Sequence, residues 1–560
     1  MKDWQVKFRP LGQTTKKRQK EIIDFLLADR GIMKEKDFFS PPRPTNILPQ
    51  DVGINPKKID QAIKIILATK KSGQKVLIWG DYDADGIVGT SLLWEALWKS
   101  GIEAIPFIPD RSEGYGLSFS SFKKIYQENP DINLVITVDN GIVAHSEVDK
   151  IASLGPKVII TDHHTKGKKL PLAKTIVWSD QVCGATVAWF LARKIVDQDD
   201  YGLDLVALAT VADMMPLLGP NRSLVKFGLD YLAKTDRPGL KALMKQAGID
   251  SRQGLSVYHL GFLLGPRLNA MGRLYNALDS VRLLCTIDSD RAQKLAEKLD
   301  LANRKRQTMT TKALEIAKKS LPEKIDQEKL IFVHHPSFHP GIIGLVAGKL
   351  TESFYRPSVV LAEEDGFCRA SCRSVKGFNI IKALKDLDGL IDVGGHPLAA
   401  GFTIKKKDLA KVKKQLLSLA QKRIKAKALQ PALTIDAKVN FPDLNYGFWK
   451  KLNRFAPFGL GNPEPVFYTS QAIIKSLRRV GRNGDHLKLI LDDSQTKKVE
   501  KTPAQFDIGQ QLLPGIGFGL GQEDLQVGDQ VDLAFNLILN RYRGQENLEL
   551  KIKGIKKYEG

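Results

Sequence analysis

The stretch from Val76 to Thr90, VLIWGDYDADGIVGT, constrains this chain more than any other part of the sequence. Its leading apolar residues favour a strand that is covered on both faces, and the glycines beside the acidic residues are typical of turns. Asp81, Asp83 and Asp85 occupy alternate positions directly after that strand. Carboxylates this close repel one another unless a cation lies between them, and Mg²⁺ and Mn²⁺ prefer oxygen ligands. Taken alone, the stretch leaves a solvated turn, a calcium loop and a catalytic metal site open.

Two further apolar runs, at 134–138 and 157–161, also end in residues that can bind metal ions. These residues are Asp139, Asp162, His163 and His164. Parallel strands of an open α/β sheet carry their ligand sites at their carboxyl ends, so we expect these side chains to share one edge with the first three aspartates. A further acid, Asp213, lies in an otherwise apolar segment, where an ionised carboxylate needs a partner or a metal. The alternative for Asp213 is a carboxylate that caps a helix end.

Helical and strand patterns alternate from about residue 55 to 290, which predicts an α/β domain with a doubly wound, mostly parallel sheet. A long helical pattern then leads to a second, smaller α/β domain. Strand-like segments dominate from about 430 onward and predict a C-terminal β-barrel of the OB type, with an SH3-like barrel as the alternative. The predicted boundaries are 1–45 for an N-terminal lead-in, 46–290 for the first α/β domain, 291–324 for the connecting helix, 325–428 for the second α/β domain and 429–560 for the barrel.

A chain of 560 residues is too long for one core, which agrees with several domains. Its net charge of +23 suits a polyanionic partner, nucleic acid first and an anionic membrane surface second, and leaves a merely basic soluble protein open. The four cysteines are too few and too irregular for a disulfide framework or a zinc knuckle, so we expect reduced thiols. The sequence has no apolar signal core or membrane-length apolar run, which predicts a cytoplasmic protein.

The sequence also carries a family resemblance. Four motifs in this order, DYDADG, VDNGI, DHH and VADMMPL, resemble the core motifs of the DHH phosphoesterase family. Six more resemble the single-strand-specific exonucleases of that family, and the resemblance runs from about residue 40 to 560. These six are SEGYGL, GPRLNAMGR, HPGIIGLVAGKL, CRASCRSVKGFN, GGHPLAAGF and PFGLGNPEPVF.

The resemblance, together with the strand-end argument, implies a catalytic domain that holds two divalent ions, Mn²⁺ or Mg²⁺. The implied metal ligands are Asp83, Asp85, Asp139, His163 and Asp213. Asp139 would bridge the two ions. Asp81, Asp162 and His164 complete the implied catalytic group, and Asp81 and His164 would support the ligands or face the substrate.

The second α/β domain would bind substrate and the barrel would bind nucleic acid. Arginines beside glycines, serines and turns could reach phosphates, and an aromatic ring could stack on a base, although each arginine could equally be a solvated surface charge. The expected DNA-binding residues are Arg111, Tyr115, Arg267, Asn269, Arg273, Ser371, Arg373 and His396.

The sequence departs from the family pattern at two places. The segment after the DHH motif, WSDQVCGAT, is shorter than the loop that these exonucleases usually carry, so DNA contacts made by that loop are not carried over. Some relatives have a histidine two positions before the first aspartate, where this chain has Trp79. Asp81 or water would then fill that ligand position.

These observations predict a metal-dependent exonuclease that degrades single-stranded DNA from 5′ to 3′, releases nucleoside 5′-monophosphates and acts in DNA repair and recombination. The alternative is a DHH phosphodiesterase for short oligoribonucleotides or cyclic dinucleotides, which would leave the barrel without a use. A binding module with a degenerate site is disfavoured because every expected acid is present. The expected partners are single-stranded DNA, a single-strand-binding protein and a RecQ-type helicase, with no membrane and a monomeric chain.

Overall fold

A computed structural model describes residues 3–114, 116–493, 512–542 and 545–558. The chain forms two compact units, one that joins Met1–Pro41 to Ala432–Gly560 and one that spans Pro42–Pro431. None of the described helices combines the length and the apolar character that crossing a lipid bilayer requires. The four cysteines are free thiols, and three of them are buried.

The strands are numbered in chain order. They are β1 (Asp3–Phe8), β2 (Lys75–Trp79), β3 (Ala104–Phe107), β4 (Ile132–Val138), β5 (Lys157–Asp162), β6 (Thr175–Trp178), β7 (Ile331–His334), β8 (Ser358–Glu364), β9 (Phe367–Arg373), β10 (Ile391–His396), β11 (Ala399–Lys405), β12 (Ala432–Lys438), β13 (Phe467–Val480), β14 (His486–Asp493), β15 (Leu513–Gly517), β16 (Gln530–Tyr542) and β17 (Gln545–Lys557).

The α-helices follow the same convention. They are α1 (Thr15–Asp29), α2 (Glu35–Phe39), α3 (Pro56–Lys71), α4 (Ala84–Lys99), α5 (Phe119–Glu128), α6 (His145–Ser153), α7 (Gly184–Ile195), α8 (Leu203–Ala212), α9 (Gly219–Ala233), α10 (Pro238–Gln246), α11 (Gly265–Leu274), α12 (Leu278–Cys285), α13 (Ser289–Lys319), α14 (Ile343–Phe354), α15 (Ile380–Lys385), α16 (Leu409–Arg423) and α17 (Tyr446–Asn453).

The first sheet of the larger unit is parallel throughout, with the strand order β3-β2-β4-β5-β6. Ile78 and Ile136 face a core shared with α3, α4 and α7, whereas Leu77 and Val135 face a second core with α5 and α6. Both faces are therefore covered, which explains why these strands are continuous apolar runs. The predicted doubly wound sheet is confirmed.

The second sheet of this unit has the order β10-β11-β9-β8-β7, and only its β7–β8 pair is parallel. Helix α13 precedes it and covers most of the predicted connecting segment, ending at Lys319. Helix α14 packs on β8 and β9, so the smaller domain is also of the α/β class.

The other unit contains a closed ring of strands in the order β13-β14-β15-β17-β16, with β16 paired back to β13. This connectivity is the five-stranded barrel expected of an OB fold. Its membership differs from the sequence interpretation in one strand. The segment LTIDAKV forms most of β12 and lies outside the ring, whereas the glycine- and proline-containing β15, LPGIG, lies inside it.

The N-terminal residues are also placed differently from the predicted lead-in. Strand β1 pairs in parallel with β12, and the Phe8 ring stacks on Phe25 of α1 at a centroid distance of 4.7 Å. Arg18 of α1 forms an ion pair of 2.6 Å with the buried Asp443. The first 41 residues therefore belong to the same unit as the barrel. Their basic composition concealed an alternating strand, in which every second residue, Trp4, Val6 and Phe8, is half-buried.

Candidate metal centre

The acidic motif lies where β2 ends and α4 begins. Asp83 is the N-cap of α4, and its Oδ1 accepts hydrogen bonds from the amides of Asp85 (3.0 Å) and Gly86 (3.1 Å). A side chain at Gly86 would place its Cβ 2.6 Å from Asp81 Cβ. Only glycine lets the first helical turn approach the strand end this closely, so the three aspartates fold into one compact loop.

Asp139 lies directly after β4 and has a left-handed backbone, with φ of 63°. Asp162 ends β5, and the register that pairs Val138 with Thr161 places these two strand ends side by side. Helix α7 begins against them, because a Cβ on Gly184 would lie 2.7 Å from Asp139 Cβ. The carboxyl ends of neighbouring parallel strands therefore bring their acids together as the sequence predicts.

His163 lies between three of the predicted ligands. Its Nε2 is 3.1 Å from Asp139 Oδ1 and 3.8 Å from Asp85 Oδ2. Its Nδ1 is 3.8 Å from Oδ2 of Asp213, the C-cap of α8. Asp213 is separated from the other acids by at least 50 residues of sequence, yet the packing of α8 against α4 and α7 brings it to the same sheet edge.

Among the described residues, three groups of side chains have ligand atoms within 4.8 Å of one another, close enough to hold metal ions. The groups are Asp85-His163-Asp213, Asp81-Asp83-Asp139 and Asp139-His163-His164. Asp139 belongs to two of them, which is the arrangement that a bridging carboxylate requires. All five predicted metal ligands, together with Asp81 and His164, lie in this one cluster.

The electrostatics of the cluster favour a bound cation. Burial, reinforced by neighbouring carboxylates, raises the pKa of Asp85 to about 7 and the pKa of Asp213 to about 9. The same causes hold the pKa values of Asp81 and Asp139 well above their usual range. Burial, followed by the neighbouring His164, lowers the pKa of His163 to about 4, so its imidazole is neutral and can bind a metal. Divalent cations would offset the repulsion among these acids.

A carboxylate oxygen of Asp81 also favours a bound cation. Oδ1 of Asp81 is buried and has no hydrogen-bond partner in the described part of the chain. A buried carboxylate oxygen without a donor is costly unless a cation binds it. The residues present therefore fit two divalent metal ions with oxygen and imidazole ligands.

Asp162 has a supporting position in this cluster. Its Oδ1 accepts from the amides of His163 (2.7 Å) and His164 (3.1 Å), and its Oδ2 accepts from the amide of Ile142 (2.9 Å). His164 Nδ1 lies 2.8 Å from Asp162 Oδ1. Burial lowers the pKa of His164, but this hydrogen bond together with the negative charges of Asp162, Asp81 and Asp83 outweighs burial, so the pKa is raised. Asp162 thus orients the histidine pair, and its predicted catalytic role stays a prediction.

Arginines gather beside the metal cluster. The Arg111 guanidinium lies over the Tyr82 ring at 4.1 Å, and its Nε donates to Gly272 O. Burial, followed by the like charges of Arg111, Arg306 and Arg373, lowers the pKa of Arg273 to about 10. Cations held this close to one another form a site that an anion would stabilise.

The second α/β domain closes one side of this arginine group. Arg373 Nη1 donates to Ser371 Oγ at 3.3 Å, and both residues lie on β9. A Cβ on Gly344 would lie 3.0 Å from Ser371 Oγ, so the first turn of α14 lies against the pair. Arg273 donates to the O atom of Gly341, which lies just before α14, at 3.1 Å. Arg111, Arg273, Ser371 and Arg373 are therefore brought together, as the sequence predicts.

The remaining predicted DNA contacts have other positions. Asn269 Oδ1 accepts from the Ala84 amide at 2.7 Å and so positions the aspartate loop. Arg267 pairs with Asp300 at 3.0 Å, and its proposed phosphate contact stays a prediction. His396 is exposed at the end of β10, where its proposed contact stays a prediction. The predicted Tyr115 lies outside the described residues.

Sequence reasoning missed several contributors to the site. The segment set aside as a shortened loop supplies the amides of Gly184 and Ala185, which donate to the two oxygens of Asp85 at 2.7 and 2.8 Å. The signal was the small-residue start of an apolar helix directly after that loop. Arg306 in the arginine group was hidden among the many charges of α13.

Trp79 faces the opposite core and donates to Gly116 O at 3.1 Å, so it takes no part in metal binding.

Comparisons with known proteins agree with this geometry. The chain matches the DHH family N-terminal domain over residues 75–215, the DHHA1 domain over 327–426 and the RecJ OB domain over 435–554. It is 31% identical to the single-stranded-DNA-specific exonuclease RecJ of Escherichia coli K12, over 89% of this chain and 90% of that protein. It is 33% identical to the protein of the same name in Bacillus subtilis 168, over 93% of this chain and 64% of the relative.

The fold has a solved counterpart. A crystal structure of RecJ from Thermus thermophilus in complex with Mn²⁺ superposes with a TM-score of 0.78 at 27% identity, over 100% of this chain and 80% of that one. The three matched domains occur in the order that the sequence and the structure give. This chain therefore belongs to the RecJ family of DHH phosphoesterases.

Proposed function

We propose that this protein is a metal-dependent exonuclease that degrades single-stranded DNA from 5′ to 3′ and releases nucleoside 5′-monophosphates, in DNA repair and recombination. The observation that carries the proposal is the convergence of Asp85, Asp139, His163 and Asp213 with the aspartate loop at one sheet edge, beside a group of arginines. The printed names of the relatives, single-stranded-DNA-specific exonucleases, support the substrate.

The five predicted ligand side chains, Asp83, Asp85, Asp139, His163 and Asp213, would hold two divalent ions, Mn²⁺ or Mg²⁺, and Asp81 would support them. Two such ions lower the pKa of water and stabilise the attacking and leaving oxygens of a phosphodiester. The chain itself orients the substrate. His164 is held by Asp162 and keeps 41% of its side chain exposed, so it can donate a hydrogen bond to a phosphate oxygen at the mouth of the site.

The first test removes the shared ligand. Asp139→Ala should abolish hydrolysis in Mn²⁺, because it takes a carboxylate from two of the three ligand groups. Binding of single strands in EDTA should survive, since the basic surface is unchanged. The measurement is hydrolysis of 5′- and 3′-labelled single strands, duplex and RNA, which also reads the polarity and tests the oligoribonucleotide alternative.

A matched control is Asp236→Ala, which removes an aspartate that is fully exposed and pairs with Lys241 at the surface. It should hydrolyse single strands at the wild-type rate. Near-normal hydrolysis by a metal-replete Asp139→Ala protein would contradict the two-metal assignment.

Degradation from the 5′ end requires a feature that recognises that end of the strand. The metal centre alone cannot supply it, because a phosphodiester offers the metal ions much the same atoms in either strand direction. We propose that the arginine group together with Ser371 binds the terminal 5′-phosphate, whose additional negative charge favours guanidinium ligands. Gly344, in the first turn of α14, lies against Ser371, so the positive end of that helix would add to the attraction for the phosphate. The pocket would thus fix the 5′ end while the metal centre cuts one nucleotide away.

Ser371→Ala and Arg111→Ala should reduce the preference for a 5′-phosphate over a 5′-hydroxyl end about tenfold, more than they slow hydrolysis at saturating substrate. The assay compares otherwise identical oligonucleotides with and without that phosphate. Arg423→Ala, which removes an arginine that pairs with Asp386 at the surface, is the matched control. Equal rates on both oligonucleotides in the wild type would rule the pocket out.

We further propose that the enzyme works as a monomer in the cytoplasm, with a RecQ-type helicase and a single-strand-binding protein. Duplex DNA must be unwound before it offers a single-strand substrate, and exposed single strands are normally coated. Light scattering tests the oligomeric state, and hydrolysis of duplex with and without the helicase tests the coupling.

A further inference from the structure

Tyr258 and Phe262 form an aromatic pair on the surface of the larger unit. Their rings are stacked at a centroid distance of 5.3 Å and an interplanar angle of 19°. Tyr258 is 58% exposed and Phe262 is 70% exposed, so neither contributes its ring to a core. An exposed pair of adjacent large rings is a candidate surface for a ligand.

The position of the pair connects it to the metal centre. Both rings are carried by the segment around a π-helix, His259–Leu264, which packs against α8. Cβ atoms built on Gly261 and Gly265 would lie 3.3 Å from Val211 and 3.4 Å from Ala212. These two α8 residues come immediately before the metal ligand Asp213. Short π-helical segments occur frequently at functional sites. This one brings the aromatic pair beside the end of α8 that carries Asp213.

The same helical segment continues into the rest of the site. Asn269, which bonds to the aspartate loop, follows Phe262 by seven residues, and Arg273 of the arginine group follows it by eleven. At 1.5 Å per residue these intervals are about 10 and 16 Å along the helix. A stacked strand advances about 3.4 Å per nucleotide, so the interval of about 16 Å to Arg273 corresponds to about five nucleotides between the aromatic pair and the arginine end.

We propose that Tyr258 and Phe262 form a stacking platform for a base of the single strand, a few nucleotides from its 5′ end. The proposal rests on the proposed function, because it takes the bound molecule to be the DNA whose end occupies the arginine group. Every base has a π face, so stacking holds the strand without selecting a sequence, as a non-specific exonuclease requires. A second copy of this chain or another protein on the same rings is an alternative occupant that the experiment must distinguish.

The test combines a variant with a modified substrate. Tyr258→Ala/Phe262→Ala removes both rings, Tyr258→Phe/Phe262→Trp retains them, and the substrates are 5′-phosphorylated oligonucleotides with one abasic residue at positions 2 to 8. In Mn²⁺ the wild type should show a KM about fivefold to a hundredfold higher when the abasic residue lies at one or two adjacent positions. The double-alanine variant should raise KM on the intact strand by a similar factor, leave kcat nearly unchanged and lose that position dependence. The ring-retaining variant should keep it.

Trp98→Ala is the matched control, because Trp98 is 60% exposed but lies at the end of α4 remote from the metal centre. It should behave as the wild type. A position profile that is the same in the wild type and the double-alanine variant would overturn the platform, as would a wild-type dimer that the double-alanine substitution dissociates without a change in KM.

Two outcomes separate this inference from the proposed function. If the wild type hydrolyses single-stranded DNA with a flat abasic profile, the platform alone is refuted. If it hydrolyses no single-stranded DNA with Mn²⁺ or Mg²⁺, the proposed function fails and the platform with it. The dependence of the wild-type KM on the abasic position tests the platform without any variant. The proposal therefore stays testable even if the double-alanine protein folds poorly.

Discussion

Gly184→Ala should disable the metal centre although glycine binds no metal. A Cβ at this position would lie 2.7 Å from both Cβ and Oδ1 of Asp139, about 0.7 Å inside the 3.4 Å at which ordinary contact begins. Asp139 has little room to yield, because its amide donates to Thr161 O at 2.9 Å. Helix α7 cannot retreat freely either, since the Gly184 amide donates to Asp85 Oδ2 at 2.7 Å.

The expected magnitude follows from that overlap. A misplacement of about 1 Å at a reacting centre costs roughly 10²-fold in rate, so kcat/KM should fall by about that factor. The unfolding free energy should fall by about 1–3 kcal/mol, the usual cost of adding a methyl group to a packed site. Binding of single strands in EDTA should not change, because the arginine group and the basic surface are untouched.

The assay is hydrolysis of a 5′-labelled single strand across a Mn²⁺ titration, with thermal unfolding of the same samples. Gly348→Ala is the control, because Gly348 lies inside α14 with no atom within 4 Å of an added Cβ. Alanine in a helix interior is favoured over glycine by about 0.5–1 kcal/mol, so this variant should be fully active and slightly more stable. A Gly184→Ala enzyme within threefold of wild-type kcat/KM would refute the argument that this close packing positions Asp139.

Two further predictions concern protons and the barrel. In the metal-free protein the pKa of Asp85 is raised to about 7 and that of Asp213 to about 9. Above about pH 4 these two carboxyl groups therefore bind more protons in the folded state than in the unfolded state. The melting temperature of the metal-free protein should consequently fall as the pH rises to about 9. Mn²⁺ displaces these protons and should raise the melting temperature more at pH 8 than at pH 6; an equal rise at both would contradict the assignment. A fragment of residues 42–431 should hydrolyse di- and trinucleotides but bind long strands weakly and with a shallower salt dependence, as measured by titration of labelled strands. An unchanged salt slope would assign the barrel to another partner.

The clustering of the candidate metal ligands follows from the sequence because the relevant rule is local. Each apolar run ends in its acids, and parallel pairing alone brings Asp139 and Asp162 side by side. The close approach of α7 is not local, since Gly184 touches Asp139 across more than 40 residues of chain. From sequence alone, a glycine that is needed because a side chain would not fit cannot be told apart from a glycine in an ordinary turn. Strand β1 was missed for a similar reason, because its partner β12 lies more than 400 residues away.

The sequence also could not separate a metal ligand from its support, because Asp81, Asp85 and Asp162 are all carboxylates at strand ends. The structure distinguishes these carboxylates by how many of their oxygen lone pairs are left without a hydrogen-bond donor and so can bind a cation. Asp162 receives donors on both oxygens, three of them on Oδ1, and has little capacity left. Asp85 accepts one backbone amide on each oxygen, and a carboxylate has about four acceptor sites, so it can be held in place and still bind a cation. Asp81, with one buried oxygen that receives no donor within the described chain, is the carboxylate that depends most on the metal.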